Sequence, residues 1–468
     1  MATAVAIVGC STIIDARDAQ ESVAAKSADD AALPEDGDVR LHGYTLEDLV
    51  GYALTNRPSM VSAKLAVDDA RLAMKEVAAD APVLSDTPWT SPKVSLSGSY
   101  AESSNGSKLE DADWRLNGNS SAAVSLDLLI WDFGRNDARK AAQAERTVAA
   151  ELELVDEGYA VFADVANAYF TLLEKGALLE VACTNEYEYS VHLDRAERRS
   201  ENGEAKRLDV LKARLDYASA REKTINASND VVTAGAEFLR SLGVDASNGS
   251  RRDVIDFEGN ALTFAMRGFP ESDYDVAGAF DLARTNSPTM KIARAKLRAA
   301  SANVDYAIAD LMPSVSVSGS FSWTDPLWFF KWGASGVQSI FQGFRKTTAV
   351  DRAVVAMEQA AADVDRAEQQ LSLDLELAIA ARDNAREARR TASDALREAK
   401  ENLEMVKRQF DVGEASRVDF TSAVASCIKE LGNRISAFYQ GQRAEAAIFA
   451  LVGRYPVYEE KVLTEEDE

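Results

Sequence analysis

The sequence predicts a mainly helical protein built from two tandem copies of one unit, in which long helical hairpins accompany a few β-strands. Three observations support this prediction. The segment 203–210 recurs 210 residues later at 413–420, with Gly, Glu, Ala, Arg and Asp at matching positions. Each copy contains a helical segment of more than 60 residues without a proline. Each copy also contains two segments in which apolar and polar residues alternate, as they do in strands with one face of each kind.

The first copy is predicted to span residues 44–243. Its helices are expected at 45–56 and from Pro58 to about residue 81, since Thr45 suits an N-cap and Pro suits the first turn of a helix. Residues 92–101 place Val94 and Leu96 on one face and serines on the other. The remaining predicted elements are a second strand at 120–131 and a long helical hairpin at 135–242, with a turn at 201–208.

A connector rich in Gly, Asp and Asn is predicted at 244–275, and the second copy at 276–455. Its predicted elements are helices at 276–286 and 288–311, strands at 313–322 and 334–341, and a long helical hairpin at 345–452 with a turn at 411–417. An acidic tail follows at 456–468. The same element order therefore occurs twice.

The long helix of the second copy carries the spacing of a coiled coil. Alternating steps of four and three from Val350 to Phe410 visit 18 positions, of which 15 are apolar. The equivalent track in the first copy is weaker, with 11 apolar positions of 18. Sustained 3-4 spacing over this length predicts a coiled-coil seam. Abundant alanine beside the seam predicts close helix neighbours on two sides.

Charge and residue usage exclude several classes of function. A net charge of −24 argues against binding to nucleic acid or to an anionic membrane surface. Three cysteines cannot form a disulfide framework, and Cys183 and Cys427 are predicted to be small buried side chains. The two histidines, His42 and His192, lie far apart, and no metal-ligand spacing or phosphate-binding loop occurs. We therefore predict no enzyme activity, no metal and no cofactor.

Residues 1–43 are predicted to be the remnant of a lipoprotein signal followed by a flexible tether. Ile7-Val8-Gly9-Cys10 is similar to a bacterial lipobox, in which the cysteine becomes lipidated after cleavage. The apolar run before Cys10 is short and lacks a basic start. An accidental cysteine near a terminus is the alternative interpretation.

The sequence contains no run of about 20 apolar residues, so a route across a membrane would require a closed β-barrel. Four strands cannot close a barrel, and this predicts an oligomer. The serine faces would line a water-filled lumen, and the apolar faces would meet lipid. An aromatic cluster is expected at the membrane interface, formed by Trp323, Trp328, Phe329, Phe330 and Trp332. The alternative is a sandwich core with an aromatic pocket.

The doubled order of helix, two strands, long helix, glycine turn and helix resembles the TolC-like outer-membrane efflux protein family. The motifs that carry the resemblance are Ala168-Tyr169-Phe170, the turns 203–209 and 413–419, and Leu311-Met312-Pro313 before a strand. It implies a homotrimer with a 12-stranded outer-membrane β-barrel and a periplasmic α-barrel. It also implies an exit duct for a tripartite efflux pump or a type I secretion system, with a periplasmic adaptor and an inner-membrane transporter as partners. A coiled-coil scaffolding protein without a lumen is the alternative.

The resemblance implies a gate at the periplasmic tips of the hairpins, where carboxylates favour cations. Asp209 and Asp419 match the gate positions, but each also suits an N-terminal helix cap. Two further family positions differ, since Ser422 stands in place of an aspartate and Ala415 in place of an arginine. The tip residues left as candidates are Arg207 and Arg417 as substitute gate residues, and Gly203 and Gly413 as adaptor-docking turns. Solvated arginines and ordinary turn glycines are the alternatives for these four.

Overall fold

The computed structural model describes residues 46–80, 82, 93–101, 119–203, 206–244, 269, 272, 274–324, 327–338, 343–412 and 414–454. The first copy contains α1 (Leu46–Asn56), α2 (Pro58–Ala79), β1 (Lys93–Ala101), β2 (Asn119–Trp131), α3 (Arg135–Glu201) and α4 (Arg207–Ser241). The second contains α5 (Val276–Asn286), α6 (Pro288–Ala309), β3 (Ser314–Thr324), β4 (Leu327–Val337), α7 (Arg345–Asp411) and α8 (Arg417–Val452). The mainly helical fold class, with two long hairpins and four strands, is confirmed.

The two long helices, α3 and α7, have the same length of 67 residues and begin at equivalent positions of the repeat. At 1.5 Å per residue each is about 100 Å long. The 3-4 seam of α7 faces the protein interior, because all of its 18 positions except Ala361 are buried or half-buried. Leu375, in the middle of the seam, is fully buried. The spacing therefore identified the packed side of this helix.

Helices from the two copies form two rows that share α3 and α7, and in each row two helices of the first copy are followed by two of the second. Neighbours in the first row are α2, α3, α6 and α7, and neighbours in the second are α4, α3, α8 and α7. The long helix of the first copy thus packs against two helices of the second, so neither copy forms a separate body. Within each row every helix packs against the next one, as expected for helices with small residues on two sides.

The four strands form one antiparallel sheet in the order β1-β2-β3-β4. In one row across the sheet, Ser95 pairs with Ser125, Ser125 with Ser320, and Ser320 with Lys331. The adjacent rows place apolar residues such as Leu96 opposite Val124 and Val124 opposite Phe321 on the other side. The sheet therefore has a serine face and an apolar face. Within the described sheet, the outer edges of β1 and β4 have no strand beside them.

The predicted position of the fourth strand, 334–341, is wrong. Observed β4 begins seven residues earlier, at Leu327, and Thr324 pairs directly with Leu327. Aromatic residues favour strands, but the continuous aromatic run at 328–330 covers both faces and so hides the alternation. The remaining helix and strand ends lie within two residues of the predicted positions.

The ends of the two copies close in the same way. Gly243 and Gly453 follow the last helix of each copy with positive φ angles of 81° and 73°. A Cβ on Gly243 would lie 2.9 Å from Arg57 Cα, and one on Gly453 would lie 3.1 Å from the Asn286 carbonyl oxygen. Only glycine satisfies both demands, and this explains the repeated Leu-Gly and Val-Gly pairs. The last helix of each copy is thereby fixed against the start of the same copy.

A buried aromatic group joins the copies near the middle of α3. The Phe170 ring lies 5.3 Å from Phe269 and 6.4 Å from Tyr439 between ring centroids. Burial raises the pKa of Tyr439 to about 12. The expectation that both helical cysteines are buried is wrong for Cys183, which is exposed, whereas Cys427 is half-buried.

Candidate functional site

The first hairpin tip contains Gly203 and Asp209. Gly203 adopts a φ of 76°, and a Cβ there would meet no atom within 4 Å, so the glycine serves the turn rather than a close contact. Asp209 Oδ2 accepts a hydrogen bond from the Lys206 backbone N–H at 3.3 Å. A lysine side chain cannot accept the reciprocal bond. This tip therefore has only half of a capping box.

The second hairpin tip has the complete capping box. Asp419 Oδ2 accepts from the Ser416 hydroxyl at 2.6 Å and from its backbone N–H at 3.1 Å. The Ser416 hydroxyl oxygen in turn accepts from the Asp419 N–H at 3.2 Å. The bond from the Ser416 hydroxyl, and then the bond from its N–H, hold the pKa of Asp419 below its usual value. Asp419 is an exposed, charged helix cap in this conformation.

Arg417 links the two hairpins. Its Nη2 donates to Asp216 Oδ2 on α4 at 2.7 Å, and its Nη1 donates to the Asp209 carbonyl oxygen. The Arg417 side chain is 27 % exposed, so the interpretation of a solvated surface arginine is wrong for this residue. Its repeat equivalent, Arg207, is exposed. The same motif position therefore forms a link in one copy and faces solvent in the other.

Three rings form a tip cluster beside this link. His192 on α3 contacts Phe420 on α8 with 4.4 Å between centroids, and Phe420 stacks on Phe410 of α7 at 5.2 Å. Phe420 is 4 % exposed. Burial, followed by the positive charges of Arg195, Arg417 and Lys407, lowers the pKa of His192, while Glu188 acts in the opposite direction. Both burial and the neighbouring positive charges therefore favour the neutral form of the histidine ring.

The other predicted tip residues either lie apart from this cluster or fall outside the residues that the structure describes. Ser422 is exposed on α8, and Ala415 is half-buried in the turn before it. Gly413, Cys10, residues 1–43 and residues 456–468 lie outside the described residues. The structure thus brings together Asp209 and Arg417, but it does not bring Ser422 to them.

The predicted aromatic cluster lies on β3 and β4. Trp323 pairs with Trp328 and Phe321 with Phe330, which places these rings on the apolar face. Phe321 and Trp328 stack with 5.0 Å between centroids. Four of the five predicted aromatics share this face: Trp323, Trp328, Phe330 and Trp332. Phe329 instead lies opposite Ser322 on the serine face.

The serine face is a hydrogen-bonding surface. Ser95 and Ser125 hydroxyls lie 2.6 Å apart across β1 and β2, and those of Ser316 and Ser335 lie 3.0 Å apart across β3 and β4. Side chains of this type can exchange hydrogen bonds with water as readily as with each other. A sheet with hydroxyls on one face and aromatic and aliphatic groups on the other is suited to the boundary between water and an apolar medium.

The described part of the chain has no group of three or more His, Cys, Asp or Glu side chains placed to hold a metal ion. Within the same residues, no helix is long and apolar enough to cross a bilayer.

Sequence reasoning missed the partners that complete the tip. Asp216 is one of many carboxylates on a helical face, and nothing in its spacing distinguishes it. His192, Phe410 and Phe420 come from three helices, so their contact depends on how the two hairpins pack. The one available signal is the repeat itself, because Phe420 replaces the smaller Val210 at the equivalent position.

Comparison with known proteins agrees with this architecture. The chain is 24% identical over 467 residues to TtgC of Pseudomonas putida, described as a probable efflux pump outer membrane protein, covering 93% of this chain and 91% of TtgC. It is similar in fold to a membrane protein from Pseudomonas aeruginosa (21% identity, TM-score 0.73, covering 87% of this chain and 93% of the other). It is also similar to the outer membrane protein VceC from Vibrio cholerae (18% identity, TM-score 0.71, covering 87% and 96%).

A model of the outer membrane efflux protein family matches residues 49–244 and 279–454. These two ranges correspond to the two copies of the repeated unit and make up most of the chain. The resemblance seen in the sequence is therefore confirmed, and the protein belongs to the outer membrane efflux protein family.

Proposed function

We propose that this protein is the outer-membrane exit duct of a tripartite efflux pump or a type I secretion system. In this function it is a passive trimeric channel, and an inner-membrane transporter supplies the energy. The observation that carries the proposal is the sheet with one serine face and one apolar face, in a chain whose two copies both match an outer membrane efflux family. A coiled-coil scaffold gives no reason for such a sheet.

The open sheet edges support an oligomer. In lipid, each unpaired backbone N–H or C=O group costs several kcal/mol, so the outer edges of β1 and β4 need partners. Three protomers with four strands each would close a 12-stranded barrel, with the serine face lining the lumen and the apolar face toward lipid. The exposed aromatics Trp328, Phe330 and Trp332 suit the membrane interface.

The helical rows support the same assembly. Large apolar side chains are more than 40 % exposed along the outer helices of both rows: Val61, Leu65 and Leu72 on α2, and Leu208, Leu211 and Leu215 on α4. Exposed apolar stripes of this kind commonly mark contact surfaces. Helices of neighbouring protomers would cover them and close an α-barrel about as long as α3 and α7.

The hairpin tips are the proposed gate. Asp209 and Asp419 from three protomers would bring six carboxylates close to the channel axis, where they favour cations. The Arg417–Asp216 ion pair at 2.7 Å holds the second hairpin against the first. Opening would require the second hairpin to move outward and break this link. The turns at Gly203 and Gly413 are proposed docking points for a periplasmic adaptor, and Cys10 a proposed lipid anchor.

Extraction and conductance together test the function. We expect protein extracted from outer membranes to migrate as a trimer when unheated and as a 50.7 kDa chain after heating. We expect the unheated sample to conduct ions across a planar bilayer. A monomer in mild detergent with no conductance would contradict the duct.

Charge removal at the tips tests the gate. Asp209→Ala combined with Asp419→Ala should lower the cation selectivity of the channel, because six negative charges leave the constriction. Reversal potentials in a salt gradient measure this. Ser416→Ala is the matched control, since it breaks the second capping box without removing charge. Unchanged selectivity in the double variant would show that both aspartates act only as helix caps.

A further inference from the structure

The serine face carries all three charged residues of the described sheet, Lys93, Asp127 and Lys331. Lys93 is neutralised locally, because its ammonium lies 3.1 Å from Asp80. It also pairs in register with Asp127. Lys331 is the single ionisable residue of β3 and β4, and its register neighbour is Ser320. One positive charge on this face is therefore uncompensated by its strand neighbours, in a chain of net charge −24.

An aromatic ring lies next to this charge on the same face. Phe329 is two residues from Lys331 along β4, so the two side chains are about 6.7 Å apart at their bases. Phe329 pairs with Ser322 and is 46 % exposed. The pair of strands β3 and β4 thus presents a ring, an ammonium group and two hydroxyls to one side of the sheet. The apolar face cannot account for Phe329, because this ring points the opposite way from Trp328 and Phe330.

We propose that Phe329 and Lys331, with the Ser320 and Ser322 hydroxyls, form a contact site for amphiphilic organic anions. A solute with a ring and one negative group would place the ring on Phe329 and the anionic group on Lys331 and the hydroxyls. This proposal rests on the duct function, which makes the serine face the lumen. The tip carboxylates would then attract cations at one end of the channel, and this site would attract anions at the other end.

Block of ion current by 2-naphthalenesulfonate in planar bilayers tests the site. Methanesulfonate serves as the anion without a ring, and benzyltrimethylammonium as the ring with the opposite charge. Removal of one exposed charge contact in water weakens binding by about two- to fivefold. We therefore expect Lys331→Gln to raise the half-blocking concentration of naphthalenesulfonate by about that factor, and Lys331→Arg to preserve it.

Two further variants separate the ring from the charge. Phe329→Ser should weaken block by naphthalenesulfonate and leave the weak effect of methanesulfonate unchanged. Lys93→Gln is the matched control, because it removes a lysine from the same face whose charge Asp80 already compensates, and it should leave block unchanged. Equal block in wild type and Lys331→Gln, or equal loss in Lys331→Gln and Lys93→Gln, would overturn the site while leaving the duct intact. Wild-type protein that conducts no current at all would instead overturn the duct itself.

Discussion

The two hairpin tips share one motif and differ in what surrounds it. The first has Lys206 before its helix, half of a capping box and an exposed Arg207. The second has Ser416, a complete capping box and an Arg417 that reaches the first hairpin. The backbone path is common to both, because α3 and α7 have equal lengths. The repeat thus fixes where each tip lies, and individual substitutions decide what each tip does.

This difference assigns unequal roles to the two hairpins. In the second hairpin, the link through Arg417 and the contact of Phe420 with His192 both end on helices of the first hairpin. Such contacts can be broken as a unit while each hairpin keeps its own helical packing. In the proposed gate, the second hairpin is the element that moves, and the first is the element against which it closes.

The largest expected effect comes from a substitution in the tip cluster of His192, Phe410 and Phe420. Phe420→Ala should lower the free energy of local opening at the start of α8 by about 3 kcal/mol, since it leaves a cavity beside His192 and Phe410. Val210→Ala, the equivalent change in the first tip, should cost about 1 kcal/mol because Val210 is half-buried. Hydrogen exchange of the α4 and α8 amides measures both. Equal losses at the two tips would remove the asymmetry.

A smaller effect should follow from the capping residues, with opposite signs at the two tips. Ser416→Ala should destabilise the start of α8 by about 1 kcal/mol, because it removes both hydroxyl bonds to Asp419. Lys206→Ser should stabilise the start of α4 by up to about 1 kcal/mol, because it supplies the missing acceptor. Hydrogen exchange of the α4 and α8 amides measures both changes in stability. A loss of protection in Lys206→Ser would show that the lysine has a separate role.

The smallest effect should be a pH dependence confined to the second tip. The pKa of His192 is lowered from 6.5 by burial and by Arg195, Arg417 and Lys407, with Glu188 opposing them. When the tip opens, the ring can take up a proton, so the closed tip should lose stability as the pH falls below about 6.5. His192→Gln should flatten this dependence in exchange measurements at several pH values. A closed tip that gains stability on acidification would contradict the assigned environment.

Most of the fold could be predicted from the sequence because its signals are long and repeated. A seam of 18 positions and a doubled motif average out local exceptions, and the ends of α3 and α7 lie within one residue of the expected positions. The fourth strand failed for a local reason. Its aromatic run has no alternation, so the period that identifies a strand is absent where β4 begins.

The tips could be predicted only in part. Capping by Asp419 follows from the spacing of residues along one helix, and it could therefore be predicted from the sequence. The pair formed by Arg417 and Asp216 joins residues 201 positions apart on different helices. No local pattern encodes that contact, since it depends on how closely α8 approaches α4. The same holds for Phe329, whose face became clear only from the register of β3 and β4.

The central claim is that Arg417 holds the duct closed, and single-channel conductance of Arg417→Ala beside Arg207→Ala tests it most directly. Loss of a partly exposed ion pair and its carbonyl hydrogen bond removes about 1 kcal/mol, which corresponds to about a fivefold shift in the ratio of open to closed tips. We expect Arg417→Ala to raise the ratio of open to closed tips by about that factor and Arg207→Ala to leave it unchanged. Equal open fractions in both variants and wild type would contradict the claim.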